Sequence, residues 1–235
     1  MADSAPPELV IVRGATVKRV ALDGSSWVDV VSGFATNAGA VCAQIIADTA
    51  WRQREVLRYD QYVPERRMSC GLRKDAQPLL RQTSMHLSSR YGQEFDGVGA
   101  ILYRDGKDFQ GLHSDREMKW LDETLIAIVV LGVRRPFVLR PRTRWDHAVD
   151  RAPSGTDPND VVLMPGDGDM LVMGGRCQRD WIHGVPAAAT ADPRVSLTWR
   201  WSSRRGKPDT EPTYYDGRHY RDGPRQPGTR TRREG

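Results

Sequence analysis

The residues of this sequence with the most chemical content are few. "GLHSDRE" sets His113 and Asp115 one residue apart, and "DWIHGVP" brings His183 68 residues after the aspartate. In extended backbone, residues i and i+2 share a face, so an imidazole and a carboxylate at that spacing converge on one point. A second histidine from another strand completes a set of two histidines and one carboxylate. Such a facial set leaves positions open on a metal ion and suits Fe(II) that must bind an oxo acid and dioxygen together. Taken alone, a His-x-Asp pair is a modest signal, because both residue types are common in polar turns. The other histidines compete poorly: His86 falls in a helical pattern, His147 in a loop near Trp145, and His219 in the polar C-terminal segment.

A second pattern narrows the chemistry. In "RVSLTWRW", Arg194, Ser196, Thr198 and Arg200 alternate with Val195, Leu197 and Trp199. A period of two puts the polar set on one strand face and the apolar set on the other. If the polar face looks inward, the guanidinium groups lie in an apolar interior and call for an anion, because an unpaired buried charge is costly. A dicarboxylate such as 2-oxoglutarate meets that demand, and bidentate pairing of arginine with carboxylate is a close planar fit. Ser196 and Thr198 lie on the same face and are further candidate contacts.

These side chains need a rigid frame, and the pattern from residue 98 onward supplies one. "VGAILYR", "TLIAIVVLG", "PFVLRPR", "DVVLMPGDGDMLVMGG" and "VSLTWRWSS" are short β-branched runs separated by Gly or Pro turns. That is the signature of a β-sandwich or barrel. "PGDG" is expected to split one run into a strand pair ending at Gly175. Upstream, "LVIVRGATVKRV" and "WVDVVSGF" predict short strands or a hairpin at a sheet edge. A helix is expected over about Ala38–Arg52 with Thr36 or Asn37 as cap, and another from Pro78 to near Gly92. The stretch between the helices, "EVLRYDQYVPERRMSCGLRKD", has no sustained period and reads as a long exposed loop or lid. The expected class is α+β, mainly β: a jelly-roll-like double sheet with helices packed on one side. The expected organisation is residues 1–97 for N-terminal strands, helices and lid, 98–203 for the catalytic core, and 204–235 for a basic, partly disordered tail.

Bulk properties exclude several classes. With 39% apolar and 28% charged residues in a chain of 235, one sizeable core can be buried, and collagen-like or wholly disordered chains are excluded. No apolar run approaches the roughly 20 residues that span a bilayer, and no signal-peptide core is seen, so a cytoplasmic, monomeric protein with no membrane contact is expected. Cys42, Cys70 and Cys177 are too scattered for a disulfide framework or a CxxC zinc site. The net charge is +5, and residues 203–235 hold nine Lys or Arg against five Asp or Glu. That concentration is compatible with a polyanionic partner without requiring one.

The order "LYRDGKDFQGLHSDRE", "IVVLGVRRPFVLR", "PGDGDMLVMGGRCQRDWIHGVP", "RVSLTWR" over residues 98–200 resembles the AlkB family of Fe(II) and 2-oxoglutarate dioxygenases. The resemblance implies a double-stranded β-helix in which His113, Asp115 and His183 ligate iron. It implies that Arg194 with Tyr103 binds the distal carboxylate of 2-oxoglutarate, that Arg200 lies near its metal-proximal end, and that Glu117 faces the substrate base. Two positions depart from the family: Ile101 and Ser196 stand where it often keeps asparagines, and the loss of one hydrogen bond at Ile101 weakens co-substrate binding by about 1 kcal/mol. The implied activity is oxidative demethylation of N-alkylated bases in DNA or RNA, with Fe(II), 2-oxoglutarate and dioxygen. A base must be flipped or single-stranded to be reached. Tyr59, Tyr62 and Trp181 are then candidate stacking groups, and Arg66, Arg67 and Arg73 candidate phosphate contacts. Two alternatives stay open: the same chemistry on transfer RNA, protein or a small molecule, and a non-catalytic nucleic-acid-binding protein.

Overall fold

The computed structural model describes residues 10–58, 60–73, 78–115, 118–143, 157–189 and 192–203, with the backbone of 220–225. The chain begins with β1 (Val10–Ile11), a hairpin of β2 (Val17–Ala21) and β3 (Ser26–Val31), and β4 (Ala35–Thr36). Helix α1 (Ala38–Asp48) is shorter than expected: Asn37 holds the cap position at φ 61°, and Arg52 already belongs to the next strand. Its buried face carries Ala38, Val41, Cys42 and Ile45, the i, i+3, i+4, i+7 stripe of an amphipathic helix. Helix α2 (Pro78–Tyr91) starts on a proline, whose missing N–H costs nothing in a first turn. It stops at Gly92, which takes the left-handed φ of 66° open to glycine.

Between the helices lie strands, not an open loop: β5 (Arg52–Arg58), β6 (Gln61–Pro64) and β7 (Met68–Leu72). β7 pairs with β8 (Asp96–Tyr103) over five registered positions, which makes this region a continuation of the main sheet. The remaining strands are β9 (Gln110–His113), β10 (Thr124–Gly132), β11 (Phe137–Pro141), β12 (Val161–Leu163), β13 (Met170–Gly175), β14 (Trp181–Val185), β15 (Arg194–Ser202) and β16 (Tyr220–Arg225). The short helix α3 (Cys177–Asp180) precedes β14. β16 falls within the segment expected to be a tail and pairs with β5.

The large sheet runs β16-β5-β7-β8-β15-β10-β13-β3-β2, with β6 beside β5; the smaller runs β12-β11-β14-β9. β3 is therefore not an edge, because it pairs with both β13 and β2. Nor do β12 and β13 form a pair: "PGDG" carries the chain from one sheet to the other. That turn needs glycine at 168, where φ is 77° and a Cβ would lie 2.0 Å from the Ala35 carbonyl oxygen.

The two sheets face each other as a jelly roll. Val28, Ile126, Ile128, Val130, Leu171 and Met173 from the large sheet meet Phe137, Leu139, Trp181 and Val185 from the small one. Helices α1 and α2 cover the outer face of the large sheet, where Leu79, Leu80 and Ile45 pack against Leu125, Ala127, Val129, Leu131, Leu197 and Trp199. β10 thus sends even-numbered residues inward and odd-numbered ones outward, and burial on both faces explains its unbroken apolar run.

Candidate active site

The open end of the sandwich brings His113, Asp115 and His183 together. β14 and β9 pair antiparallel with His183 opposite His113, so the two imidazoles come from adjacent strands of the small sheet. Their ring centroids are 4.4 Å apart, and Nε2 of His113 is 3.6 Å from Oδ1 of Asp115. One ligand atom from each of the three residues lies within 4.8 Å of the others, a spacing that a single metal ion can bridge.

His113 and Asp115 are held from behind by hydrogen bonds. Nδ1 of His113 lies 2.9 Å from the Gly111 carbonyl. A carbonyl only accepts, so Nδ1 carries the proton and Nε2 presents its lone pair to the cluster. The Asp115 backbone N–H donates to Oε1 of Gln178 at 2.9 Å, and its Oδ2 accepts from Nε of Arg200 at 2.6 Å. Burial by itself would raise the Asp115 carboxyl, but Arg200 first, then the histidines, hold it well below the usual carboxylate range. His183 is also buried, with Phe137 stacked at 5.6 Å. Burial drives its imidazole down to about 3, with His113 and Arg200 acting in the same sense and Asp115 against it. An ionised Asp115 and a neutral His183 are the protonation states a metal requires of such groups.

The inner face of β15 forms the floor. Ser196, Thr198 and Arg200 line a pocket with Tyr103, Ile126, Ile128, Phe137, His113, Asp115 and His183. Arg194 is the next residue on the same face, directly across the ladder from Tyr103. Its side chain is fully buried. Nη1 reaches the carbonyls of Arg135 at 3.3 Å and Pro165 at 3.5 Å, while Nε and Nη2 have no partner. Burial lowers its pKa to about 10, so it remains a cation at neutral pH. A buried guanidinium with two unused donors fits one end of a dicarboxylate whose other end reaches the three ligands.

The pocket opens into a cleft of about 230 Å³ lined by Arg54, Arg67, Ser69, Cys70, Gly99, Gln110, His113, Asp115 and Arg200. The strands read as a lid thus supply one wall. Of the expected substrate contacts, Arg67 lines this cleft but is buried and ion-paired with Glu65 at 2.7 Å. Arg66 and Arg73 are exposed, and Tyr62 is half-buried on β6. Trp181 is a correction: it is 6% exposed within the core between the sheets, and its Nε1 donates to Oδ2 of Asp23 at 2.6 Å. It therefore offers no free face to a base. Tyr59 and Glu117 lie outside the described residues. Two polar residues of the site escaped sequence reasoning, Gln178 behind Asp115 and Arg135 behind Arg194. Arg135 carried only the weak signal of an arginine inside an apolar run.

Comparison with known proteins agrees with this geometry. Residues 78–200 match the family model of the 2OG-Fe(II) oxygenase superfamily. Among curated relatives, alpha-ketoglutarate-dependent dioxygenase alkB homolog 3 of Homo sapiens is 28% identical, covering 86% of this chain and 77% of the relative. DNA oxidative demethylase ALKBH2 of Arabidopsis thaliana is 32% identical over 122 residues, 46% of this chain and 38% of the relative. Among solved structures, EvdO2 from Micromonospora carbonacea var. aurantiaca, complexed with 2-oxoglutarate, shares the fold at a TM-score of 0.50 with 13% identity, covering 83% of this chain and 98% of that one. The matched segment runs from α2 into β15 and contains His113, Asp115, His183 and Arg194. The chain belongs to the 2OG-Fe(II) oxygenase superfamily and is an AlkB-like, Fe(II)- and 2-oxoglutarate-dependent dioxygenase.

Proposed function

We propose that His113, Asp115 and His183 ligate Fe(II), that Arg194 with Tyr103 takes the distal carboxylate of 2-oxoglutarate, and that the chain demethylates N-alkylated bases in DNA or RNA. The observation that carries this reading is the fully buried Arg194, with two donors unpartnered, on the face of β15 that leads to the clustered ligands. For the substrate, support comes from a relative whose name is DNA oxidative demethylase, from Arg54 in the cleft wall, and from the net charge of +5.

The chain's own residues bind and orient. Arg200 keeps Asp115 ionised and fixes which of its oxygens is left for the metal. The Gly111 carbonyl keeps the tautomer of His113 that leaves Nε2 as donor atom. Ile126, Ile128 and Phe137 make the pocket wall apolar, which strengthens the attraction of Arg194 for a carboxylate by excluding water. Ser196 and Thr198 put hydroxyls along the floor between the two ends. When bound, the iron, 2-oxoglutarate and dioxygen supply the oxidation that hydroxylates an N-methyl group, which then departs as formaldehyde. The cleft admits a base only when it has left the duplex stack.

The test is to incubate the protein with Fe(II), ascorbate and 2-oxoglutarate together with methylated DNA and RNA oligomers. Loss of the methyl group by mass spectrometry, with matching formaldehyde, is expected. Conversion of 2-oxoglutarate to succinate without change in any oligomer would overturn the nucleic-acid substrate. No conversion at all would overturn the site.

A further inference from the structure

We propose that Arg135 is a positioning residue for the distal carboxylate of 2-oxoglutarate, holding Arg194 and Tyr103 in the orientation that the co-substrate meets. This inference rests on the reading of Arg194 given above.

Arg135 lies in the connection between β10 and β11 and is 1% exposed, whereas the side chain of its neighbour Arg134 is 60% exposed. Two adjacent arginines thus have opposite fates. The Arg135 guanidinium sits 5.1 Å from the centroid of the Tyr103 ring. Its backbone carbonyl accepts from Nη1 of Arg194 at 3.3 Å. One residue therefore touches both members of the pair, through its side chain on one and its main chain on the other.

The guanidinium is itself anchored on carbonyls. Nη1 donates to Asp105 O at 3.2 Å, and Nη2 donates to Asp108 O and Pro186 O, both at 2.6 Å. Asp105 and Asp108 belong to the turn that leads into β9 and His113; Pro186 follows β14 and His183. The nearby Asp108 carboxylate is committed to Arg104, at 2.7 and 2.8 Å. Arg135 thus has no carboxylate of its own in these bonds, and its Nε has no partner.

A residue whose only task was to tie these segments together would not need a charge. Burying a second cation beside Arg194 costs desolvation and repulsion, and a neutral group could be packed there at lower cost. The arrangement makes sense where a dianion arrives, because its field offsets both guanidiniums at once. The planar fork also explains why lysine is a poor substitute: an ammonium cannot reach three carbonyls in fixed directions and still lie over the ring.

The experiment measures the affinity of 2-oxoglutarate by calorimetry on protein loaded with Mn(II) in place of iron, beside the affinity for Mn(II) alone. Wild type must bind 2-oxoglutarate; if it does not, the reading of the site fails before any variant is made. In Arg135→Lys we expect 2-oxoglutarate to bind about tenfold more weakly, while Mn(II) affinity stays within about twofold. In an Arg194→Lys background the same substitution should add much less than tenfold, because the two act on one carboxylate. Equal 2-oxoglutarate affinity in wild type and Arg135→Lys, or a parallel loss of Mn(II) binding, would overturn the inference and leave Arg135 as a structural tie. A readout that needs no folded variant uses wild type labelled with 15N-arginine. Addition of 2-oxoglutarate should move the Nε–H signals of both Arg194 and Arg135, and an unmoved Arg135 signal counts against the proposal just as directly.

Discussion

β15 has two faces that obey different rules. Outward, Val195, Leu197 and Trp199 are fully buried under the helices, and the one polar atom among these side chains is satisfied: Nε1 of Trp199 donates to Oγ of Ser84 at 3.0 Å. Inward, Arg194 is equally buried yet keeps two nitrogens without partners. One strand thus carries a finished interface on one side and an unfinished one on the other. Complete satisfaction marks packing that exists for the fold, and a buried, unsatisfied donor marks a place that a ligand completes. Substitutions on the two faces should therefore separate stability from function.

The largest effect belongs to the His113, Asp115 and His183 cluster to which the inner face leads. His113→Ala should reduce turnover of 2-oxoglutarate to background, because it removes one of the three ligands proposed for the metal. Its thermal midpoint without metal should stay close to that of wild type, since His113 is only partly buried. Residual turnover near the wild-type level would show that the clustered ligands are not the metal site.

Next comes the outer face. Trp199→Ala should cost about 3–5 kcal/mol of stability, the usual range for truncating a buried tryptophan, and be seen in chemical denaturation. The KM for 2-oxoglutarate of the fraction that stays folded should not change. A selective rise in that KM would mean that the two faces are coupled through the backbone.

Arg194→Met reverses the pattern. Removing one partner of a buried charge pair costs about 2–5 kcal/mol of binding, so 2-oxoglutarate should bind on the order of a hundredfold more weakly or worse. Without ligand, stability should hold or rise, because the substitution replaces an unpaired buried cation by an apolar side chain of similar volume. Calorimetry and thermal denaturation of the same sample decide both halves. A marked loss of ligand-free stability would mean that Arg194 is structural after all.

The same contrast explains how much could be read from the sequence. Both faces of β15 were legible, since a strict alternation of polar and apolar residues survives in the primary structure, and so was the two-residue spacing of His113 and Asp115. What was lost depended on tertiary pairing. β5, β6 and β7 are largely half-buried or exposed; β5 is rich in Arg, Gln and Glu and β7 carries Ser, Cys and Gly at its centre, so no period marks them, and their strand state comes from hydrogen bonding along the edge of a sheet whose main strands lie further on. Trp181 looked like a stacking group because its partner, Asp23, stands 158 residues earlier. Nothing in "VRRPF" tells which arginine turns inward. That choice is made by the carbonyls of Asp105, Asp108 and Pro186, which only the fold assembles.

The smallest effect is the most discriminating test of the outer face. Ser84, on α2, accepts from Trp199 and passes its own hydroxyl hydrogen to the Leu80 carbonyl at 2.8 Å, one turn back. In Ser84→Ala the indole N–H loses its acceptor, while the helix gains a better helix-former and Leu80 keeps its place in the helical ladder. The net loss should be about 1 kcal/mol, the scale for stranding one neutral buried donor. If the outer face is as complete as its hydrogen bonding implies, this variant lowers the thermal midpoint slightly and leaves the affinities for Mn(II) and 2-oxoglutarate unchanged. A change in either affinity would mean that the satisfied face also helps to hold the unsatisfied one in shape.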